Sequence, residues 1–397
     1  MALDLTKVAS QVGGMIASLK AGVDERQRHL KSALEIAGSE AIDLDKLKQK
    51  ITLSKTTWLV AELVDGLALH YAAPPLSSEF TVMATDGSHI DVDRHRSLRC
   101  FLINIGTTVL RYGAHPEALL DSSPHLYADE ELVIVPPGVK GREQPIEGTL
   151  LGIKRAVEEC RQLAGWATEM PEGSKSLALL DGSLILWGLE AYPDFVAEAL
   201  LDNGFLKYLD EMRRLNKERR FALAGYISLP RSTDVVNVLR VAICPHKAID
   251  SDRDCLECRK RECDAVSGVR DRELFNSLLG EGERSALFIS PSRVLKRYGK
   301  HQIYLFYIKL DDEVVRVEIP QWVAVDDDLL NLTHSLILDQ CRRGDGYPVV
   351  LSEAHEQAVV TGADREYFWQ LVEASLVDER LPTFTSAKSF SKRTRWV

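Results

Sequence analysis

Two short stretches, "FTVMATDGS" at residues 80–88 and "SLALLDGS" at residues 176–183, share one pattern that decides the fold. In each, an apolar run typical of a buried strand stops at an aspartate, Asp86 or Asp181, and Gly-Ser follows at once. A carboxylate at the carboxyl end of a strand in an α/β sheet points into the crevice where ligands bind, and glycine lets the chain turn tightly there. We therefore predict a strand followed by a turn at each DGS sequence. A single Asp-Gly turn is ordinary, but two with the same apolar lead-in indicate a site.

The chemistry of such a pair follows from its charge. Two carboxylates on neighbouring strands repel each other unless a positive charge lies between them. Mg²⁺ and Mn²⁺ prefer hard oxygen ligands, and they bind through a few carboxylates together with substrate phosphates. The sequence therefore predicts a divalent metal site that contains Asp86 and Asp181.

The remaining pattern alternates between strands and helices. Helical spacing predicts helices over residues 1–72, which end before Pro74-Pro75. After the first DGS stretch, alternation predicts a β-meander, and a Ser/Thr cap begins a helix at residue 232. Further strands are predicted at 100–112, 130–137, 176–182, 221–230, 285–290, 302–310 and 314–323, and further helices at 146–167, 191–220, 328–343 and 351–375. We divide the chain into an N-terminal helical region, 1–75, and a second domain, 76–397, with a Cys-rich insertion at about 244–270.

Composition bounds the class of protein. The chain has 397 residues and a net charge of −10, which argues against a protein that coats nucleic acid over its whole surface. No apolar run reaches the roughly 20 residues of a membrane span, and the first residues do not read as a secretory signal. Seven cysteines are an odd number, and several lie in apolar surroundings, which suits a reducing compartment. We expect a cytoplasmic protein.

The order of these elements is informative. A strand aspartate, a meander, a helix that carries Glu158 and Glu159, and a second strand aspartate follow one another, as in the ribonuclease H-like fold. In that fold the two aspartates and the helix glutamate converge on metal ions, and a late helix adds a fourth ligand, here His355. We therefore expect an α/β fold with a mixed central sheet flanked by helices. Periodicity does not choose between the two glutamates, because adjacent helix positions lie about 100° apart.

Taken together, the two DGS strands, "GYISLPRSTDVVNVLR", "RDRELFNSLLGEGERSALF", "EAHEQAVVT" and "SAKSFSKR" resemble the NurA nucleases, from about residue 80 to the C-terminus. The resemblance implies Mn²⁺-dependent 5′ to 3′ exonuclease activity on single- and double-stranded DNA and endonuclease activity on single strands. It also implies a homodimer that processes DNA ends with a HerA-type hexameric ATPase. The implied site residues are Asp86, Glu159 (with Glu158 as the alternative), Asp181, Tyr226 and His355.

These residue types suit two-metal hydrolysis of a phosphodiester, in which carboxylates hold the ions and a neutral histidine ligates one of them or moves a proton. Basic side chains would contact DNA phosphates without regard to sequence. The candidates are Arg231 and Arg240, the helix run Arg213, Arg214, Lys217, Arg219 and Arg220, and the tail residues Lys388, Lys392, Arg393 and Arg395. The helix run is also explained as a solvated helix end that the dipole favours.

The insertion holds a separate group of possible metal ligands. Cys255 and Cys258 have the spacing of a metal-binding pair, and with Cys244 and Cys263 they would complete a tetrahedral zinc or an iron–sulfur site of structural role. A loop with free thiols is the alternative.

Two rival functions fit part of the pattern. Actin-like ATPases also place Asp-Gly turns at strand ends, but they need a late Gly-rich adenosine motif, and "CRRGDGYPVVLSEAH" is not convincing as one. A DNA-binding adaptor with a vestigial acidic pocket is the other rival. The intact set of acidic residues with His355 counts against it.

Overall fold

The computed structural model describes residues 4–381, apart from positions 94, 97, 139, 140, 171, 172 and 312. The chain divides by compactness into two units. The first unit consists of the residues up to Ala73 with Ile227–Ser292 and Tyr304–Val317, and the second consists of Pro74–Tyr226, Arg293–Ile303 and the residues from Glu318 onwards. The sequence-based boundary at residue 75 stays a prediction.

The described residues form thirteen strands and twelve α-helices. The strands are β1 (Glu62–Leu63), β2 (His70–Tyr71), β3 (Phe80–Ile90), β4 (Cys100–Tyr112), β5 (Glu117–Ala128), β6 (Val133–Ile134), β7 (Gln144–Pro145), β8 (Ser176–Asp181), β9 (Phe221–Ile227), β10 (Arg284–Ser285), β11 (Phe288–Ile289), β12 (Ile303–Lys309) and β13 (Val314–Pro320). The α-helices are α1 (Leu5–Ala37), α2 (Leu44–Leu53), α3 (Thr149–Ala167), α4 (Asp194–Ala197), α5 (Leu206–Arg219), α6 (Asp234–Ile243), α7 (Ser251–Asp254), α8 (Asp271–Leu278), α9 (Gln321–Ala324), α10 (Asp327–Arg343), α11 (Val349–Ala358) and α12 (Gly362–Asp378). A π-helical stretch, Glu198–Phe205, joins α4 to α5.

A mixed sheet organises the second unit. Its strands lie in the order β5-β4-β3-β8-β9. The first three are antiparallel and form the predicted meander, whereas β8 runs parallel to β3 and β9 runs parallel to β8. The predicted α/β fold with a mixed central sheet and flanking helices is confirmed.

Two helices cover opposite faces of this sheet. Gly87 on β3 faces α3, and Gly106 on β4 faces α11. Gly106 pairs with Asp86, so these two residues share a face, and successive side chains of a strand alternate between faces. The two helices therefore approach the same strand pair from different sides. Residues of both α3 and α11 can therefore approach side chains at the carboxyl end of β8.

The first unit contains α1, α2, α6–α8, the strands β1, β2, β10 and β11, and most of β12 and β13. The predicted helix over residues 55–72 is wrong. This segment instead forms β1, which pairs with β11, and β2, which pairs with β10. Its apolar residues Val60, Leu63 and Leu67 are buried in the core of this unit, so tertiary pairing overrides the local helical spacing.

Three further sequence predictions need correction. The third strand of the meander is β5 and not residues 130–137. It contains Pro124, which an edge strand tolerates because one row of its backbone groups faces away from the sheet. The predicted helix 351–375 is two helices, because Thr361 caps a new helix with a capping box to Asp364. The predicted strand 285–290 is two short strands, β10 and β11.

Helix α6 begins where predicted, but the predicted Ser/Thr cap is wrong. Thr233 makes no side-chain cap hydrogen bond. The backbone N–H groups of Val235 and Val236 instead donate to Oδ1 of Asp271, at 3.1 and 2.8 Å. Asp271 is fully buried, and its other oxygen accepts from the Tyr307 hydroxyl at 2.8 Å. A carboxylate from another helix therefore caps this one.

The described residues include no helix with the length and apolar character that a membrane crossing requires.

Candidate active site

Asp86 lies inside strand β3 and not at its end. The strand continues to Ile90 and pairs with β4 along its whole length, so the turn predicted at the first DGS sequence is wrong. Glycine is needed here for another reason. A Cβ atom on Gly87 would lie 2.6 Å from Oε1 of Glu159 and 2.8 Å from Cγ of Arg155. The missing side chain lets α3 bring its carboxylate against the strand.

Asp181 is the last residue of β8, and the turn predicted there is confirmed. Gly182 follows with φ of +112°, in the left-handed region that favours glycine. The Ser183 hydroxyl donates to Oε2 of the buried Glu318 at 2.7 Å, and the backbone N–H of Leu184 donates to the same oxygen at 2.9 Å. The turn after Asp181 is therefore held by a carboxylate.

The two aspartates lie beside each other on neighbouring parallel strands. Strand β3 pairs with β8 in the register Thr85 to Leu180, so Asp86 and Asp181 are the next residues along each strand. Asp181 is exposed at the end of its strand, yet partial desolvation raises its pKa, and the negative charge of Asp86 adds to the rise. The convergence predicted from the two DGS sequences is present in the fold.

Helix α11 brings His355 to Asp86. The helix lies close against β4 because position 106 is glycine, where a Cβ atom would lie 2.5 Å from the backbone nitrogen of Ala358. Two side chains of the sheet hold the end of this helix, since the Ser88 hydroxyl and the Asn104 amide both donate to the Ala358 carbonyl, at 2.5 and 2.9 Å. His355 Nδ1 then lies 2.7 Å from Asp86 Oδ2.

Burial and the charges of Asp86 and Asp181 raise the pKa of Glu159, whereas Glu158 is paired with cations. Glu158 accepts from Lys154 at 2.7 Å and from Arg161 at 2.5 Å, and these cations hold its pKa below the usual range against the effect of burial. Burial raises the pKa of Glu159 to about 7, and the charges of Asp86 and Asp181 add to this rise. The structure therefore separates two residues that periodicity left as alternatives.

One cation partly offsets the acidic charge. Arg155 Nε lies 3.1 Å from Glu159 Oε1, and its charge lowers the pKa of Glu159 and of Asp181. Both atoms are nevertheless buried without a hydrogen-bond partner among the described residues, because the geometry of the ion pair is not that of a hydrogen bond. A buried carboxylate oxygen with no donor is costly unless something positive satisfies it.

The predicted active-site tyrosine, Tyr226, is fully buried at the position paired with Asp181. Its hydroxyl lies 3.8 Å from the Cys341 sulfur, and its ring packs edge-on against Tyr347 at 5.5 Å. Tyr347 is the tyrosine that contacts the carboxylate, because its hydroxyl hydrogen-bonds to Asp181 and so lowers the pKa of that group. A catalytic role for Tyr226 stays a prediction.

The residue types at this position fit a hard divalent cation. In their present side-chain positions, no three His, Cys, Asp or Glu residues of the described chain form a ready metal site. The arrangement nevertheless combines a carboxylate, Asp86, whose charge raises the pKa of Asp181 and of Glu159, with a buried Glu159 oxygen that lacks a donor. A cation would remove both penalties, and Asp86, Glu159, Asp181 and His355 are the residues that would hold it.

Sequence reasoning missed Arg155, Tyr347 and Gly106. Gly106 carried a usable signal, since a lone glycine inside a strand pattern indicates a close backbone approach. Arg155 lies four residues before Glu159, the spacing of a helix ion pair. Tyr347 follows the irregular stretch "GDG", and no local pattern predicts that the chain returns there to Asp181.

The predicted DNA-contacting arginines have different surroundings. Arg231 is exposed beyond β9. The Arg240 guanidinium stacks 4.5 Å over the Trp58 ring and donates to Asn237 at 3.3 Å, which is a packing role inside the first unit. The tail residues Lys388, Lys392, Arg393 and Arg395 lie outside the described residues. DNA contact by these residues stays a prediction.

The four cysteines of the insertion are free thiols in the first unit. Cys255 is exposed, but partial desolvation raises its pKa, and the nearby thiols of Cys263, Cys244 and Cys258 add to the rise, so the four lie near one another. Their present side-chain positions do not form a metal site. The predicted zinc or iron–sulfur site therefore stays a prediction.

Comparisons with known proteins agree on a family. A family model described as the NurA domain matches residues 80–360. Among solved structures, the crystal structure of the NurA nuclease from Sulfolobus solfataricus matches with a TM-score of 0.52 at 12% sequence identity, over 96% of this chain and 98% of that one. Similarity at this identity shows a shared fold. No curated protein matches the chain.

Proposed function

The chain belongs to the NurA domain family, and from this premise we propose that it is a metal-dependent deoxyribonuclease that acts at DNA ends during the repair of double-strand breaks. The membership supports a nuclease, and nucleases of this kind use divalent metal. The finer activities proposed are 5′ to 3′ exonuclease on single- and double-stranded DNA and endonuclease on single strands. The proposed ion is Mn²⁺, with Mg²⁺ as the substitute.

One observation carries the proposal. Asp86 and Asp181 lie side by side on parallel strands, and the buried Glu159 carboxyl is electrostatically coupled to both. A cluster of like charges at the carboxyl end of a strand costs free energy in the absence of a ligand, and strongly shifted pKa values of this kind concentrate at functional sites. No such cluster is needed for the packing of the sheet.

The residues divide the work as follows. Ions bound by the carboxylates would neutralise the charge on the transferred phosphate and lower the pKa of the attacking water. His355, exposed and 2.7 Å from Asp86, is placed to hold or move a proton at its imidazole. Tyr347 lowers the pKa of Asp181 against the rise that desolvation and Asp86 cause, and Arg155, 3.1 Å from Glu159, partly offsets the charge of that carboxylate.

A nuclease assay tests this proposal. Purified protein with Mn²⁺ is incubated with end-labelled single- and double-stranded DNA, beside the variants Asp86→Ala and Asp181→Ala. We expect cleavage by the wild type and its loss in both variants, with unchanged circular dichroism. Full activity in either variant would refute the site. Nucleotide hydrolysis without DNA cleavage would favour the ATPase alternative, and DNA binding without cleavage would favour the adaptor.

The partners are proposed on resemblance. We propose a homodimer that works with a HerA-type hexameric ATPase. Co-purification of the two proteins, followed by a nuclease assay with ATP, tests the partnership. Failure of the two proteins to co-elute at micromolar concentration would contradict it.

A structural metal ion at Cys244, Cys255, Cys258 and Cys263 is a separate proposal. It is supported by the proximity of the four thiols and by the two-residue spacing of Cys255 and Cys258. Metal analysis of protein prepared without a histidine tag would detect about one equivalent of zinc, or iron with acid-labile sulfide. Protein free of both metals, with the same melting temperature after addition of zinc, would refute it.

A further inference from the structure

An open groove in the second unit is lined by the exposed side of α5. It encloses about 670 Å³. Five of its lining residues are basic and three are acidic, although the whole chain has a net charge of −10. The basic residues are Lys207, Arg213, Arg214, Lys217 and Lys300. A positive groove on an acidic protein concentrates anions locally.

Two of the three acidic residues of the groove are paired with cations, one of which, Lys300, itself lines the groove. Asp210 accepts from Lys300 at 2.6 Å and lies 2.9 Å from Nε2 of the buried His301. Asp202 pairs with Arg297 at 2.5 Å. Of the three acidic residues, Glu211 alone has no ion pair among the described residues. The groove therefore keeps positive charge that its own walls do not cancel.

Three cations near the end of α5 supply most of that charge, and a fourth lining cation on this helix, Lys207, lies 5.3 Å from the centre of the Tyr208 ring. Arg213, Arg214 and Lys217 have no ion-pair or side-chain hydrogen-bond partner among the described residues, and the last two are exposed. The neighbouring basic residues behave differently, because Arg219 donates to the Met170 carbonyl and Arg220 pairs with acidic side chains. A solvated helix end would account equally for all five basic residues of the run, Arg213, Arg214, Lys217, Arg219 and Arg220. It does not explain why the first three lack partners among the described residues whereas the last two have them.

We propose that this groove binds the sugar–phosphate backbone of a nucleic-acid strand, at a site formed by Arg213, Arg214 and Lys217. The proposal deepens the nuclease function and rests on it for the identity of the ligand. Residues 213 and 217 lie one helical turn apart, so their head groups can contact successive phosphates along the groove. Arg214 projects beside them and adds a planar donor that suits phosphate oxygens.

A nucleic-acid strand fits this groove better than a small anion or an acidic protein. Its volume exceeds what one phosphate occupies, and its cations are spread along a helix and do not converge on a point. Contacts of this kind read no base edge, as an enzyme that digests any sequence requires. They also hold the strand without a buried apolar anchor, which a stable protein interface normally needs.

The test compares two triple variants of the full chain. In the groove variant Arg213, Arg214 and Lys217 are changed to Gln, which keeps helix propensity and removes the charge. The control variant changes three exposed cations elsewhere, Lys20→Gln, Lys260→Gln and Arg342→Gln. Binding of a fluorescent 30-nucleotide strand is measured by anisotropy in EDTA at several salt concentrations. Cleavage of bis(p-nitrophenyl) phosphate with Mn²⁺ is measured separately.

We expect the groove variant to bind at least about tenfold more weakly at low salt, and to lose about two from the slope of log K against log salt, since each single-strand phosphate contact contributes about 0.7. The control variant should bind as the wild type does. Equal binding by both variants, or no binding by the wild type, would overturn the proposal. Polyglutamate that competes as well as DNA would overturn it in favour of an acidic partner.

The small phosphodiester, bis(p-nitrophenyl) phosphate, distinguishes a failure of this proposal from a failure of the nuclease proposal. Its hydrolysis should be unchanged in the groove variant, because the compound is too small to span the groove. Loss of binding together with loss of hydrolysis of the small ester would indicate a structural effect on the active site and overturn the groove assignment. If the wild type hydrolyses nothing but shows groove-dependent binding, the nuclease proposal fails and the groove stands.

Discussion

Glu158 and Glu159 are neighbours in sequence and are buried to the same degree, at 6% and 5% exposure, yet their surroundings are opposite. Glu158 lies between Lys154 and Arg161, which lower its pKa, whereas burial raises the pKa of Glu159 to about 7 and the charges of Asp86 and Asp181 add to the rise. Burial acts on both in the same direction, so the neighbouring charges make the difference. A residue-level test can therefore use one glutamate as the control for the other.

Changing Glu159 to Gln should reduce nuclease activity by at least about 100-fold, because a proposed metal ligand loses its charge, while thermal stability stays equal or rises as charge repulsion is relieved. Changing Glu158 to Gln should leave activity within a few-fold and lower stability, since two half-buried cations lose their buried partner. Steady-state nuclease kinetics and differential scanning calorimetry measure both. Loss of activity in Glu158→Gln, with activity retained in Glu159→Gln, would instead assign the metal ligand to Glu158.

At the scale of elements, packing decides where the site residues meet. Helix α11 reaches Asp86 because Gly106 leaves space on β4, and the end of this helix is held by Ser88 and Asn104. A chain of contacts therefore runs from the sheet to His355. A side chain at position 106 would therefore displace helix α11 and, with it, His355.

Changing Gly106 to Ala should destabilise the protein by about 1–3 kcal/mol, because the new methyl group meets backbone atoms that cannot rotate away. Activity should fall with it, as His355 moves from Asp86. The matched control is Gly152→Ala in α3, where nothing lies within 4 Å of the new atom and helix propensity improves. Urea denaturation and nuclease assays measure both. An unchanged Gly106→Ala variant would show that α11 is free to shift.

The buried cap of α6 gives a prediction on pH. Burial and the charge of Asp234 raise the pKa of Asp271 to about 6, against about 4 in an unfolded chain. The folded state then holds the proton more tightly, so this group's contribution to stability is full below about pH 4 and is lost as the pH rises to about 6. The Asp271→Asn variant keeps an oxygen that accepts from the backbone N–H groups of Val235 and Val236. In this variant, the loss of stability with rising pH should disappear.

Urea denaturation between pH 4 and pH 7.5 measures this effect, because the difference in unfolding free energy between variant and wild type should move in favour of the variant as the pH rises. Tyr307 loses an acceptor in the variant but retains the Ser232 hydroxyl at 2.9 Å. A parallel pH dependence in the two proteins would contradict the raised pKa.

The sequence predicted the mixed sheet and the meeting of Asp86 with Asp181, because long apolar runs and chain order are strong signals. It did not predict that Asp86 lies in mid-strand, since an Asp-Gly pair has the same local signature in a turn and at a close helix contact. It could not choose between Glu158 and Glu159, which depends on which helix face meets the sheet. Tyr347 and Arg155 depend on contacts between distant segments, which local patterns do not encode.

At the scale of the whole molecule, the N-terminal helix bears on the proposed homodimer. Exposed apolar side chains recur along the first two-thirds of α1 at the spacing of a helix–helix seam. They are Leu5, Val12, Met15, Ile16, Leu19 and Val23. A stripe of this kind on a solvated helix is explained by a second helix, and the homodimer would supply one.

Changing Ile16 and Leu19 to Glu should convert the dimer to a monomer, because both side chains lie on the stripe and are exposed in the single chain. The matched control, Ser10→Glu with Ala21→Glu, adds the same charge to the opposite side of α1, where both residues are exposed, and should leave the dimer intact. Sedimentation velocity at micromolar concentration distinguishes the two states. A wild type that sediments as a monomer, or dimers in both variants, would show that α1 does not form the interface.

The central claim is that carboxylates from β3, α3 and β8 hold divalent ions together, and calorimetric titration with Mn²⁺ in the absence of DNA tests it most directly. We predict binding by the wild type and by Glu158→Gln, and a loss of affinity of at least about tenfold in Asp86→Asn, Glu159→Gln and Asp181→Asn. Unchanged stoichiometry and affinity in those three variants would contradict the account.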